Sequence, residues 1–73
     1  MKPVYVIRSN DGAGHHVKSF GMTVNGGEVH TTFDPFEALH FGSWEEAVAV
    51  ASFIVFHVDE EYEGEFEVAP YFL

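Results

Sequence analysis

An Asn-Gly-Gly sequence at residues 25–27 separates two runs in which apolar and polar residues alternate. The first run begins at His16 and places two sets of side chains on opposite faces of a strand: Phe20, Met22 and Val24 on one, and Val17, Ser19, Gly21 and Thr23 on the other. Because Asn-Gly supplies the positive φ angles of a type I′ turn, we expect a β-hairpin here. The second run, from Glu28 to Phe33, then returns antiparallel to the first.

A helix is predicted after the hairpin. Ser43 is followed three residues later by Glu46, a pairing typical of a helix N-terminus, so we expect a helix from about Trp44 to His57. One apolar stripe at three- and four-residue spacing contains Trp44, Ala47, Val48, Ala51, Ile54, Val55 and Val58. The β-branched and aromatic run from Phe53 to Val58 leaves a strand open as the alternative for the end of this segment.

Two further strands complete the predicted sheet. Val4 to Ser9 is apolar on both faces, as in a strand that is covered on both sides. Glu65 to Ala69 alternates and predicts a last strand, with Phe66 and Val68 facing inwards. The sequence therefore predicts an α+β fold of order βββαβ, with a small antiparallel sheet of about four strands and one helix packed on it.

The length of the chain limits it to one domain, residues 1–73. A hydrophobic core of this size is near the lower limit at which a protein folds without disulfides or a structural metal. It contains no cysteine, so neither a disulfide nor a thiolate zinc site supplements packing. No apolar run approaches the roughly 20 residues of a membrane span, and the N-terminal run is too short for a signal peptide. We therefore expect a cytoplasmic protein that does not contact membranes.

Negative charge is concentrated in the C-terminal part of the chain. The formal net charge is −9, and eight of the twelve acidic residues lie after position 42, where there is no lysine or arginine: Glu45, Glu46, Asp59, Glu60, Glu61, Glu63, Glu65 and Glu67. An acidic surface repels phosphate backbones and attracts basic protein surfaces. We expect these eight residues to bind a cationic partner, namely the basic surface of a nucleic-acid-binding complex, without direct binding to nucleic acid.

Within this set, Glu63, Glu65 and Glu67 recur at every second position. In an extended chain they would stand on one face at intervals of roughly 6.6 Å, twice the strand rise. Such a row can occupy a basic groove that normally holds a nucleic-acid backbone. The alternative is an ordinary solvated face that keeps a small domain soluble.

Other chemistries find little support in the sequence. The carboxylates cluster in a predicted loop and strand rather than in a cleft, so we expect no enzymatic activity and no cofactor. The segment from Asp59 to Glu65 lacks the ligand spacing of a calcium loop. Adjacent His15 and His16 point to opposite sides of a strand, and His16 and His30 meet across the hairpin only if the register allows it. We therefore predict no metal site.

An excess of apolar residues lies outside the helix stripe, at Val50, Phe53 and Phe56. Two interpretations are open. The C-terminal residues Tyr71 to Leu73 fold back over the helix, or the patch is a contact surface for a homodimer or another partner.

The segment from Phe33 to Ala47, FDPFEALHFGSWEEA, resembles a pattern in small phage and bacterial proteins. In these proteins three strands lead through Asp-Pro, Ala-Leu and Phe to a serine-capped helix that opens with Glu-Glu-Ala, and then to a last strand. The resemblance implies the same βββαβ order.

In size, acidity and lack of cysteine the chain is also similar in type to the small phage-encoded inhibitors of bacterial defence, the anti-CRISPR proteins. Several of these mimic nucleic acid or block the surface where target DNA enters. The resemblance implies an inhibitor that acts in the cytoplasm of a bacterial host, and the acidic residues named above are its expected binding site. The alternative is a non-enzymatic phage or bacterial interaction module that associates through the apolar helix face.

Overall fold

The chain folds into a four-stranded antiparallel sheet with one helix packed against it, in a computed structural model that describes residues 2–73. The strands are β1 (Pro3–Ser9), β2 (His16–Thr23), β3 (Gly26–Thr32) and β4 (Phe66–Phe72), in the spatial order β3-β2-β1-β4. The helix α1 (Trp44–Phe53) continues into a π-helical turn (Ile54–Val58), and a 3-10 turn (Glu60–Tyr62) precedes β4. The predicted α+β class and βββαβ order are confirmed.

Strand β1 lies at the centre of the sheet but pairs very unequally with its two neighbours. It pairs with β4 along its whole length, from Pro3↔Phe72 to Ser9↔Phe66. Its pairing with β2 is confined to one end, at Arg8↔His16. Beyond this rung the two strands diverge.

A short irregular segment, Leu39–Phe41, fills the gap between β1 and β2, and we call it the wedge. The amide of Leu39 donates to the carbonyl of Val17 on β2 at 3.0 Å. Phe41 and Tyr5 of β1 exchange both backbone hydrogen bonds, each at 2.9 Å. The wedge therefore supplies the backbone partners that β1 and β2 do not give each other, as buried peptide groups require.

Side chains are buried on both faces of β1, as its apolar sequence predicts. On the helix side, Ile7 belongs to a cluster that consists of Ile7, Val17, Phe41, Ala47 and Ile54. On the other side, Val6 packs with Ala38 and Ala69 in a smaller cluster. The segment that leads into the wedge contributes Ala38 to this second face.

The predicted helix is confirmed, with its buried stripe rotated from the expected position. The Ser43 side chain accepts a hydrogen bond from the Glu46 amide at 3.1 Å, so Ser43 caps the helix as predicted. Val50, which the sequence placed outside the stripe, packs against the helix-side cluster, whereas Trp44 is 51% exposed. The segment Ile54–Val58 is a π-helical turn and not the alternative strand.

The predicted hairpin is also confirmed, but its turn is not type I′. Its two loop residues are Val24 and Asn25, between the paired residues Thr23 and Gly26. Gly26 has a φ of 114°, and in residues 2–73 only glycines adopt a positive φ, so Asn25 lacks the conformation that a type I′ turn requires. The Thr23 hydroxyl instead stabilises the turn, because it donates to the Gly26 carbonyl at 3.0 Å.

Two further expectations about side-chain placement are wrong. The register of β2 and β3 shifts between Val17 and Ser19, and this bulge brings Val17 and Phe20 to the same helix-facing side. The C-terminal residues do not fold back over the helix, since Tyr71 pairs with Val4 in β4 and the strand continues to Phe72.

Gly27 of β3 lies against the end of the π-helical turn. A Cβ atom at this position would lie 1.8 Å from the carbonyl oxygen of Val58, a backbone atom that no side-chain rotation can move. Gly21 of β2 is on an adjacent rung of the same hairpin, and a Cβ there would meet nothing within 4 Å. The absence of a side chain at Gly27 therefore sets how closely the helical segment approaches the hairpin.

We expect Gly27→Ala to lower the free energy of unfolding by about 2 kcal/mol or more, because the backbone must separate to admit the methyl group. Gly21→Ala is the matched control and should change it by less than about 0.5 kcal/mol. Urea denaturation of the two variants measures both values. Equal losses in the two variants would contradict the close approach of Gly27 to Val58.

Candidate partner-binding surface

Five of the eight predicted binding residues lie in one loop, Asp59–Glu65, which joins the π-helical turn to β4 and which we call the acidic loop. Its acidic residues are Asp59, Glu60, Glu61, Glu63 and Glu65. The four glutamates are exposed and Asp59 is half-buried. Asp59 also begins the 3-10 turn, because its carboxylate accepts a hydrogen bond from the Glu61 amide at 3.0 Å.

The acidic loop is curved, so the predicted row of Glu63, Glu65 and Glu67 on one face of a strand does not form. The Glu63 amide donates to the Glu60 carbonyl at 3.0 Å, and the Glu65 amide donates to the Tyr62 carbonyl at 2.9 Å. Gly64 has a φ of 77°, which breaks the extended conformation between Glu63 and Glu65. Strand β4 starts only at Phe66.

Glu67, the last residue of the predicted row, has a basic partner. It lies opposite Arg8 in the β1–β4 ladder, and the guanidinium contacts Oε2 of Glu67 at 3.0 and 3.2 Å. The charge of Glu67 is therefore compensated on the sheet face opposite the helix. Because both side chains are more than 40% exposed, the pair contributes little to stability, in the range of about 0–1 kcal/mol.

Glu45 and Glu46 are exposed in the first turn of α1, at the far end of the helical segment from the acidic loop. At the helical rise of 1.5 Å per residue, the 14 residues from Glu45 to Asp59 correspond to roughly 20 Å. Both carboxylates interact favourably with the positive end of the helix dipole. They add to the overall negative field without forming one surface with the acidic loop.

The acidic loop is attached to the body of the protein at its C-terminal end. The Asn10 amide donates to the Glu65 carbonyl at 3.0 Å, and the Asn10 side-chain amide donates to the Gly64 carbonyl. The ring of Tyr62 stacks on that of Phe66, with centroids 4.7 Å apart and planes within 8°. These contacts fix the backbone that carries Glu63 and Glu65.

A cleft of about 250 Å³ separates the acidic loop from the turn between β1 and β2. The residues that line it include Ser9, Asp11, His15, Tyr62, Glu65 and Phe66. At Asp11, the Ala13 amide donates to the carboxylate at 2.9 Å and lowers the pKa of that carboxyl. The Ser9 hydroxyl is buried beside this carboxylate, and its hydrogen bond to Asp11 also lowers the pKa of the carboxyl.

Sequence reasoning did not single out Asp11, Asn10 or Tyr62 as parts of this surface. Asp11 and Glu65 are 54 positions apart in the sequence, and the rung Ser9↔Phe66 brings their segments together. Asn10, Asp11 and Gly12 are residue types typical of a turn, but no local pattern indicates that this turn lies beside the acidic loop.

The histidines are distributed as adjacency in a strand predicts, and they do not converge. His15 lines the cleft described above, whereas His16 lines a second cleft, which it shares with Arg8 and Glu67. His16 lies opposite Thr32 while His30 lies opposite Ser19, so the two histidines do not face each other across the hairpin. Within residues 2–73 no three potential ligands are close enough together to hold a metal ion.

Two aromatic side chains of the helical segment, Phe53 and Phe56, remain on the surface, and we call them the aromatic patch. They are 49% and 76% exposed. The Phe53 ring lies 6.1 Å from that of Phe20 and 4.9 Å from that of His57. Val50, the third residue of the predicted contact surface, packs against the core and leaves this patch smaller than expected.

No protein-family model, curated protein or solved structure matches this chain. In the part of the chain that the structure describes, no helix is long and apolar enough to cross a membrane.

We expect Asn10→Ala to loosen the acidic loop, because it removes the side-chain hydrogen bond to Gly64. The loss of unfolding free energy should be about 1 kcal/mol, the usual net contribution of one hydrogen bond. Amide hydrogen exchange at Glu63 and Glu65 should become faster, while exchange in β2 stays close to that of the wild type. Asn25→Ala, in the hairpin turn, is the control, and equal exchange at Glu63 and Glu65 in the two variants would contradict the anchoring role.

Proposed function

We propose that this protein inhibits by binding: it occupies a cationic, nucleic-acid-binding surface of a bacterial defence complex through the acidic loop. The observation that supports this most directly is the loop itself. It carries five carboxylates in seven residues, and the ion pairs formed within residues 2–73 include none of the five. Their charge is therefore available to a partner.

The fixed backbone of the acidic loop favours this role over that of a merely solvated face. A loop anchored by Asn10 and by the Tyr62–Phe66 stack loses little conformational freedom on binding, so less of the electrostatic attraction is offset by ordering. A basic groove responds to the sign and spacing of charge, and a net charge of −9 speeds encounter with such a groove. The proposed inhibition is by occupancy and requires no chemical step.

We expect Glu60→Lys/Glu61→Lys to weaken capture of the partner by at least about tenfold at low salt, because it replaces two attractions with two repulsions. The tagged wild-type protein is used to capture partners from bacterial lysate at low and high salt, and bound proteins are identified by mass spectrometry. Under the proposal, a nucleic-acid-handling complex is recovered, is released by salt, and is displaced by added DNA.

The matched control is Glu28→Lys/Glu37→Lys, which changes the net charge equally but at positions outside the acidic loop. It should retain most of the binding, and the melting temperatures of both double variants should stay close to that of the wild type. Normal binding by Glu60→Lys/Glu61→Lys would refute the acidic loop as the contact.

A second candidate function is an interaction module that associates through the aromatic patch, and the 76% exposure of Phe56 favours it. In that case Phe56→Ser should abolish self-association or partner capture, whereas Glu60→Lys/Glu61→Lys should not. Val24→Ser removes a fully exposed apolar side chain at the hairpin turn and is the control. Sedimentation velocity of the wild type and the three variants distinguishes the cases, and a monomeric wild type excludes the homodimer.

A further inference from the structure

We propose that the cleft between the acidic loop and the β1–β2 turn receives one arginine side chain of the cationic partner, with its guanidinium between the carboxylates of Asp11 and Glu65. This inference rests on the proposed function, since it names the chemical group that the surface recognises. It goes beyond that function by assigning a defined site in place of a diffuse charged face.

The charge of the cleft selects a cation. Asp11 and Glu65 come from different elements, and the ion pairs formed within residues 2–73 involve neither carboxylate. Carboxylates on separate elements match the several N–H donors that a guanidinium presents in one plane. A phosphate or another anion would be repelled from the same position.

The other walls of the cleft favour a flat cation with several donors over a compact one. The parallel rings of Tyr62 and Phe66 give the cleft an aromatic component, and guanidinium groups stack on aromatic faces.

The size of the cleft argues against a drug-sized molecule as its occupant, and the separation of its lining side chains argues against a metal ion. Its volume of about 250 Å³ lies below the roughly 300–1,000 Å³ of pockets for drug-sized ligands, so a single side chain fits better than a larger molecule. Asp11, His15 and Glu65 line the same cleft, but no three potential ligands within residues 2–73 are close enough to share a metal ion. A guanidinium is wider than a metal ion and is able to contact carboxylates that are too far apart to share one metal ion.

The test is a titration of the isotopically labelled full chain with N-acetyl-arginine methylamide, followed by amide chemical shifts. We expect saturable shifts at Ser9, Asp11, Glu65 and Phe66, with half-saturation at about 10 mM or below. The neutral, nearly isosteric citrulline compound should produce none of these shifts. Absence of saturable shifts with the arginine compound would overturn the proposal.

Glu65→Gln should weaken binding of the arginine compound about tenfold, because it removes one charge-assisted contact. Glu60→Gln removes the same charge from the same loop at a position that does not line the cleft, and should change binding less than about twofold. Asp11→Asn provides a second cleft variant, since its side-chain oxygen still accepts from the Ala13 amide and preserves the turn.

Binding of the arginine compound that is weakened equally by Glu65→Gln and Glu60→Gln would overturn the proposed arginine site. Chemical-shift changes spread evenly over Asp59–Glu65 would do the same. Either result would indicate attraction by the general surface charge. The proposed function would survive that result, since it requires only the acidic loop. Conversely, normal partner capture by Glu60→Lys/Glu61→Lys refutes the proposed function without affecting the titration, so the two failures are distinguishable.

Discussion

The fold depends on the backbone hydrogen bonds that the wedge, Leu39–Phe41, makes to the two strands on either side of it. Strands β1 and β2 share only the rung Arg8↔His16, and below it their peptide groups face an opening in the sheet. Each buried peptide group left without a partner would cost about 1–3 kcal/mol, and the wedge satisfies groups of Tyr5 and Val17. The wedge and the residue before it join the two cores, because Phe41 packs on the helix side and Ala38 on the other.

The same arrangement determines where the candidate binding surface lies. With β1 held between β4 and the wedge, its far end at Ser9 is the point where the β1–β2 turn, the start of β4 and the acidic loop meet. Asn10, the next residue, holds the loop through both its backbone and its side chain. The carboxylates of the loop are therefore carried on a backbone tied to the central strand, which a charge count alone would not predict.

Local signals in the sequence predicted the elements well, and contacts between distant segments account for what was missed. Ser43 and Glu46 predicted the start of the helix, and the alternating run before Asn25 predicted the hairpin. In both cases the residues that carry the pattern are only a few positions apart in the sequence. The bulge after Val17 interrupts that alternation and accompanies the packing of Val17 under the helix, a contact that no local pattern marks. The cleft was equally invisible, because the register of β1 and β4 creates it.

This register also decides which glutamates remain free, and apolar packing selects it. A slip of two residues would place Glu65 opposite Arg8 and would preserve the faces of both strands. The same slip would place Glu67 opposite Val6, where Ala69 is now buried beside Ala38. Burial of a carboxylate without a partner there is far more costly than the small gain from any exposed ion pair. Ala69 thus fixes Glu67 as the compensated residue and leaves Glu65 uncompensated at the cleft, so the distribution of charge on this surface follows from the core.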